Sequence, residues 1–146
     1  MKVFVDTNVI ISYLDENREN HFKTKQLFSK LYLDEKVVIV FSEDIITNVV
    51  YNCKNRELAV RFFLDIMSDE KFQIVNFGYE VIKYASKLYI KNGVFSNKAD
   101  FEDKLQYFCA LKNGCSKIYT DDKSSFPKLD LPLYGSDDKV FYTPIK

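Results

Sequence analysis

The chain has 146 residues, 47% of them hydrophobic and 29% charged, which excludes a disordered segment and predicts one globular domain over residues 1–146. Its 21 basic and 21 acidic residues balance, so total charge gives no argument for nucleic-acid binding and leaves only a local basic strip. No apolar run is long enough to span a bilayer, and three cysteines without a C-x-x-C pair indicate a reducing compartment, so we expect a cytoplasmic protein with no membrane contact.

Predicted strands and helices alternate along the chain. The strands are expected at residues 2–5, 37–41, 72–75 and 116–119, with an edge strand at 140–143. The helices are expected at residues 8–14, 21–34, 58–67, 79–90 and 100–112, and one more is expected after Ser42, which is placed as its N-cap. This alternation predicts an α/β fold with a mostly parallel central sheet of four to five strands, flanked by helices on both faces.

Acidic residues stand where predicted strands end and where one helix begins. Asp6 directly follows the first strand, and Asp122 follows the fourth strand at a matching position. Asp100 and Asp103 are three residues apart, which places them on one face of a helical first turn. Each acid taken singly is also explained as a helix cap or a turn residue. Because the carboxyl ends of parallel strands meet at one edge, we expect the four acids to converge there.

Converging carboxylates predict a divalent metal site. Two carboxylates about 4 Å apart repel by roughly 4 kcal/mol at an effective dielectric of about 20, and a bound cation relieves that repulsion. Oxygen ligands suit Mg²⁺ or Mn²⁺, whereas His21 and the scattered cysteines lack the spacing of a zinc site. Since no Ser or Cys nucleophile pairs with a histidine, the acids favour hydrolysis of a phosphodiester by activated water.

Three motifs resemble the PIN domain family in their order and spacing. They are DTNVI at residues 6–10, DFEDKLQ at 100–106 and IYTDDK at 118–123, and the branch they resemble has the motif D-F-E-D-A-L-Q. PIN domains are Mg²⁺- or Mn²⁺-dependent ribonucleases, and many are the toxin of a VapBC toxin–antitoxin pair. The resemblance implies an endoribonuclease with an antitoxin protein as partner and a homodimer as its assembly.

The resemblance also assigns roles to individual residues. The implied metal ligands are Asp6, Asp103 and Asp122, with Asp100 as an additional catalytic acid. Thr120 is implied to assist Asp122, and Asn8 to orient the first acid by hydrogen bonding.

One position departs from the family pattern. PIN domains carry a glutamate about six residues past a serine, and counting from Ser42 that position is Asn48. Asn48 stays in the implied catalytic set, although an amide oxygen brings no charge to a cation. The alternative function is therefore a catalytically weakened PIN-fold module that binds RNA or protein. A phosphatase or phosphoacceptor domain ranks lowest, because Asn8 stands where such a phosphatase needs a second acid.

Contacts with RNA are predicted near the same edge of the sheet. The candidates for phosphate binding are Lys54, Arg56, Lys98, Lys104 and Lys123. A groove walled by helices admits a single strand and lets bases stack on rings such as Tyr107 or Tyr51.

Overall fold

The computed structural model describes residues 1–92 and 99–145, without the side chains of residues 92, 99 and 100. The strands are β1 (Lys2–Val5), β2 (Val38–Ser42), β3 (Phe72–Val75), β4 (Cys115–Tyr119), β5 (Leu133–Tyr134) and β6 (Val140–Tyr142). The helices are α1 (Thr7–Leu14), α2 (His21–Leu33), α3 (Glu43–Asn52), α4 (Arg56–Met67), α5 (Gly78–Asn92) and α6 (Ala99–Lys112). The predicted elements begin and end within two residues of these bounds.

The strands form one sheet in the order β3-β2-β1-β4-β5-β6, parallel except for the antiparallel pair of β5 and β6. The prediction of a mostly parallel sheet flanked by helices is confirmed. The sheet has six strands because Leu133–Tyr134 adds one that the sequence did not indicate. Two residues are too few to show the alternation by which a strand is predicted.

The strand order of the sheet switches direction at β1. The chain proceeds from β1 to β2 on one side and places β4 on the other side of β1. In such sheets the crevice outside the carboxyl ends of the two central strands is where ligands bind. Asp6 follows β1 and Asp122 closely follows β4, so both acids flank this crevice.

The central strands are covered on both faces. Val3, Phe4 and Val5 of β1 are completely buried, as are Ile39 and Val40 of β2. Continuous burial of consecutive residues is expected of a parallel strand with helices on either side, because successive side chains point to opposite faces. The three cysteines are buried free thiols. Among the helices described, none has the length and apolar character needed to cross a membrane.

Candidate active site

A cleft of about 280 Å³ opens at the crevice between β1 and β4. Its walls include the acids Asp6, Glu102, Asp103 and Asp122 together with the amides of Asn48 and Gln106. The structure thus brings together Asp6, Asp103 and Asp122 from three distant stretches of the sequence. Larger hollows elsewhere on the surface do not contain this set of acids.

Asp6 is held rigidly at the end of β1. Its backbone N–H donates to the Tyr119 carbonyl at 2.9 Å, which extends the pairing of β1 with β4 by one residue. One carboxylate oxygen accepts from the Thr7 backbone at 2.7 Å and so caps α1, and the other accepts from the Thr120 hydroxyl at 2.8 Å. The side chain is therefore both a helix cap and a wall of the cleft.

The surroundings of Asp6 disfavour its charged form. The residue is only 4% exposed, and burial, followed by the negative charge of Asp103, raises the pKa of Asp6 to about 7. A cation in the cleft would act in the opposite direction and favour the carboxylate.

Asp103 and Asp122 are bridged by Ser125, a residue that was not predicted from the sequence. The Ser125 hydroxyl contacts Oδ2 of both carboxylates. A hydroxyl has one proton, so it can donate to only one of them at a time. The serine stands three residues after Asp122 in a turn, which is the only signal the sequence offers for its presence.

Asp122 also forms the turn expected of an aspartate followed by serines. Its Oδ1 accepts from the Ser124 hydroxyl and the Ser125 backbone, each at 3.2 Å. Burial acts to raise the pKa of Asp122, but hydrogen bonds from Ser125 and Ser124 outweigh it and hold that pKa below its usual value. Asp122 therefore offers a charged carboxylate to the cleft.

Glu102 is a second residue that sequence reasoning missed. It lies exposed at the rim of the cleft, beside Asp103. Burial and the neighbouring Asp44 carboxyl hold the pKa of Glu102 above its usual range. Successive helical residues are about 100° apart, so Glu102 was left off the face that carries Asp100 and Asp103. A hydrogen bond from Asn48 of α3 connects Glu102 to the opposite wall of the cleft.

Two amides hold Glu102. Its Oε1 accepts from Nδ2 of Asn48 and, at 3.2 Å, from Nε2 of Gln106. Gln106 also donates to Oδ2 of Asp44 at 3.1 Å. Asn48 therefore lies in the cleft as the resemblance implied, and its amide binds an acid from the opposite helix.

The supporting residues differ in part from their expected contacts. The Thr120 hydroxyl accepts from the Asp122 backbone at 3.1 Å while it donates to Asp6, so it links both strand ends. Asn8 was expected to orient Asp6, but its side-chain oxygen accepts from the Asp121 backbone at 3.2 Å and fixes the loop after β4 instead. Ser42 donates to Asp44 rather than capping α3 with its side chain.

Two predicted residues have no described side chain. Lys98 falls outside the described residues, and Asp100 is described only as part of the α6 backbone.

None of the remaining basic candidates lines the cleft. Lys54 and Arg56 are exposed at the junction of α3 and α4, and the Arg56 guanidinium lies 5.5 Å from the ring centre of exposed Tyr51. Lys123 is exposed after β4, with its ammonium 5.6 Å from the ring centre of Phe141. Such exposed basic side chains can contact phosphates of an RNA other than the phosphate that lies in the cleft.

Two predicted RNA contacts are corrected by burial. Lys104 is 3% exposed, and its ammonium lies 5.7 Å from the ring centre of Tyr89, so it packs inside the protein rather than facing a phosphate. Tyr107 is fully buried and its hydroxyl accepts from the Asp130 backbone at 2.7 Å, which leaves no ring face for a base. Both lie on α6 faces that the apolar pattern did not assign to the core.

The donor set of the cleft fits a hard divalent cation. The available ligands are carboxylate oxygens, and Oε1 of Gln106 is a buried acceptor for which the described residues provide no donor. Within residues 1–92 and 99–145 no three acidic, His or Cys side chains already surround a common point. Ser125 holds Asp103 and Asp122 through hydrogen bonds that a shared cation would have to replace.

Sequence comparisons find a family model and a relative that match most of the chain. The family model described as the PIN domain matches residues 3–131. A protein named Ribonuclease VapC1 from Aquifex aeolicus is 34% identical over 127 residues, which cover 86% of this chain and 84% of that protein.

Solved structures share the fold at low sequence identity. VapC20 of Mycobacterium tuberculosis, described as a Sarcin-Ricin loop cleaving toxin, superposes with a TM-score of 0.68 at 16% identity, covering 84% of this chain and 91% of that one. VapBC2 from Rickettsia felis, bound to a DNA fragment from its promoter, gives a TM-score of 0.61 at 17% identity, covering 92% of this chain and 98% of that one.

Proposed function

The chain belongs to the PIN domain family, and on this premise we propose that it is an endoribonuclease that uses Mg²⁺ or Mn²⁺ to cleave phosphodiesters of single-stranded RNA. The observation that carries the proposal is the meeting of Asp6, Asp103 and Asp122 in one cleft. The name of the relative, Ribonuclease VapC1, supports the same reaction class.

The three aspartates are the proposed ligands, with Asp100 as an additional acid. When bound, the cation offsets their charge, lowers the pKa of a water molecule and stabilises negative charge on the phosphate. Asp6 is oriented for this task by the Thr7 backbone and the Thr120 hydroxyl. Fixed ligand orientation reduces the rearrangement that binding requires.

Substrate RNA is proposed to approach over the junction of α3 and α4. The walls of the cleft are acidic, so attraction for the RNA backbone has to come from the rim. Lys54 and Arg56 are exposed there, and the Tyr51 ring beside Arg56 offers a surface on which a base can stack. With few such contacts and no net charge, binding should be weak, and its logarithmic salt slope should be about 0.7 for each phosphate contacted.

We further propose that the protein is the toxin of a type II toxin–antitoxin pair, with a protein antitoxin as partner and a homodimer as its assembly. The structural neighbours include a VapC toxin and a VapBC complex, which supports this biological setting. Copurification of the chain with the product of an adjacent small reading frame would test it.

A second candidate function is a PIN-fold module that binds RNA or protein without cleaving. Asn48 favours it, because this amide brings no charge to a wall where the family usually has a glutamate. Titration with Mn²⁺ separates the two functions, since a binding module would take up no Mn²⁺ at millimolar concentration.

Cleavage of a fluorescent single-stranded RNA tests the proposed enzyme. We expect the wild type to cleave in Mg²⁺ or Mn²⁺ and to stop in EDTA, and Asp6→Asn and Asp103→Asn to lose at least about a hundredfold in rate. Asp65→Asn, at an exposed position on α4, is the matched control purified in parallel. Undiminished cleavage by the Asp6→Asn/Asp103→Asn double variant would refute the proposal.

A further inference from the structure

Resting on the proposed function, we propose that Glu102 is an additional carboxylate of the cation site, and that it supplies from α6 the charge that Asn48 does not bring from α3. The two side chains face each other across the cleft and are joined by a hydrogen bond.

The position of Glu102 in the fold is the first support. It is adjacent to Asp103 in the chain, and both residues line the cleft that contains Asp6. A glutamate at an exposed helix start ordinarily points to solvent, where it interacts with the helix dipole. Here the side chain turns toward α3 instead.

The contacts of Glu102 are the second support. Asn48 and Gln106 both donate to its Oε1, and each of these amides itself lines the cleft. Metal-binding carboxylates are commonly oriented in this way by hydrogen bonds from neighbouring groups. Two amide donors on one oxygen hold the Glu102 carboxyl at the wall of the cleft.

An unsatisfied acceptor is the third and independent support. Gln106 is 1% exposed, and its Oε1 is buried without a donor among the described residues. The amide nitrogen of the same side chain donates to Glu102 and Asp44, and this side chain lines the cleft. A buried acceptor without a partner is unfavourable, and a cation or one of its water molecules would satisfy it.

Calorimetric titration of the full-length chain with Mn²⁺ tests the proposal without depending on activity. We expect Glu102→Gln, which keeps size and polarity but removes the charge, to weaken Mn²⁺ binding at least about tenfold. Glu43→Gln removes the same charge from an exposed first turn of α3 outside the cleft, and it should stay within about twofold of the wild type. Circular dichroism checks that each variant is folded.

An exchange of positions sharpens the test. Introducing Asn48→Glu into the Glu102→Gln variant returns a carboxylate to the opposite wall, and we expect it to restore most of the lost Mn²⁺ affinity. If Glu102→Gln is unfolded, Glu102→Asp withdraws the carboxylate by one methylene and should show a smaller loss of affinity in the same direction.

The failures of this inference and of the proposed function are distinguishable. Wild-type affinity in folded Glu102→Gln, together with loss of binding in Asp6→Asn, would overturn the role of Glu102 and leave the nuclease proposal standing. A wild-type chain that takes up no Mn²⁺ would overturn the nuclease proposal itself.

Discussion

At the scale of the residue, the buried carboxyl group of Asp6 links the stability of the fold to the proposed cation binding. Its pKa of about 7 in the folded chain lies above the ordinary value of 3.8, so the folded state binds more protons than the unfolded state between those pH values. Stability should therefore fall as pH rises from about 4 to 7, by an amount on the order of a few kcal/mol. Without a bound cation, the ionised Asp6 carboxyl therefore lowers the free energy of unfolding at neutral pH.

We expect Asp6→Asn to melt at a higher temperature than the wild type in EDTA at pH 8, because the variant has no charge to bury. The advantage should shrink toward pH 5, where the wild-type carboxyl is protonated in the folded state. Thermal melts across this range measure it, with Asp65→Asn on the exposed side of α4 as control. A difference in melting temperature that does not change with pH would contradict the conclusion that the buried charge of Asp6 destabilises the fold.

At the scale of the element, one hydroxyl links the acid-bearing ends of β1 and β4. Thr120 donates to Asp6 and accepts from the backbone of Asp122, and it is completely buried. The two strands that define the crevice are thus tied together at the ends that carry acids. Removing the hydroxyl would leave a buried carboxyl and a backbone N–H short of a partner.

Thr120→Val keeps the shape of the side chain and should lower the free energy of unfolding by about 1–3 kcal/mol at neutral pH. Thr120→Ser retains the hydroxyl, so it should lose clearly less. Urea unfolding of both variants gives the comparison. Equal stability of Thr120→Val and the wild type would show that the strand ends are held by something else.

Side chains at the ends of elements could be predicted from the sequence, whereas side chains placed by contacts between elements could not. Asp6, Asp103 and Asp122 could be predicted because each stands at the end of an element, and the end of an element is fixed by local pattern. The places of Glu102 and Gln106 in the cleft could not be predicted, because their contacts join α3 to α6, two helices far apart in sequence.

The burial of Lys104 within α6 could not be predicted from the sequence either. Lys104 carries a charge and yet lies inside the protein, since its ammonium finds the ring of Tyr89 in another helix. A pattern of polar and apolar residues assigns a lysine to the surface, and only tertiary contacts reverse that assignment.

The short strand β5 was missed for a similar reason, because it is specified by its neighbours β4 and β6.

At the scale of the whole molecule, zero net charge requires recognition of RNA by local contacts. Exposed Lys54 and Arg56 follow shortly after Asn52, an α3 residue that lines the cleft, whereas exposed Lys36 precedes β2 and so lies at the opposite edge of the sheet. A protein without net charge has no general attraction for RNA. The position of a basic side chain should therefore decide whether it contributes to RNA binding.

We expect the Lys54→Gln/Arg56→Gln variant to bind single-stranded RNA more weakly and with a shallower dependence on salt, by about 0.7 in the logarithmic slope for each phosphate that is no longer neutralised. The Asp6→Asn background prevents cleavage while fluorescence anisotropy measures binding. Lys36→Gln should leave both quantities unchanged. An equal loss of affinity with Lys36→Gln would indicate that binding is nonspecific and not directed to the cleft.

A crystal grown with Mn²⁺ tests the central claim most directly, because the metal reveals its own position by anomalous scattering. We predict an anomalous peak in the cleft with oxygens of Asp6 and Asp103 at about 2.2 Å, close to the reach of a hard divalent cation. We also predict that Ser125 no longer bridges Asp103 and Asp122. A cleft without a peak at saturating Mn²⁺, with that serine bridge intact, would contradict the claim.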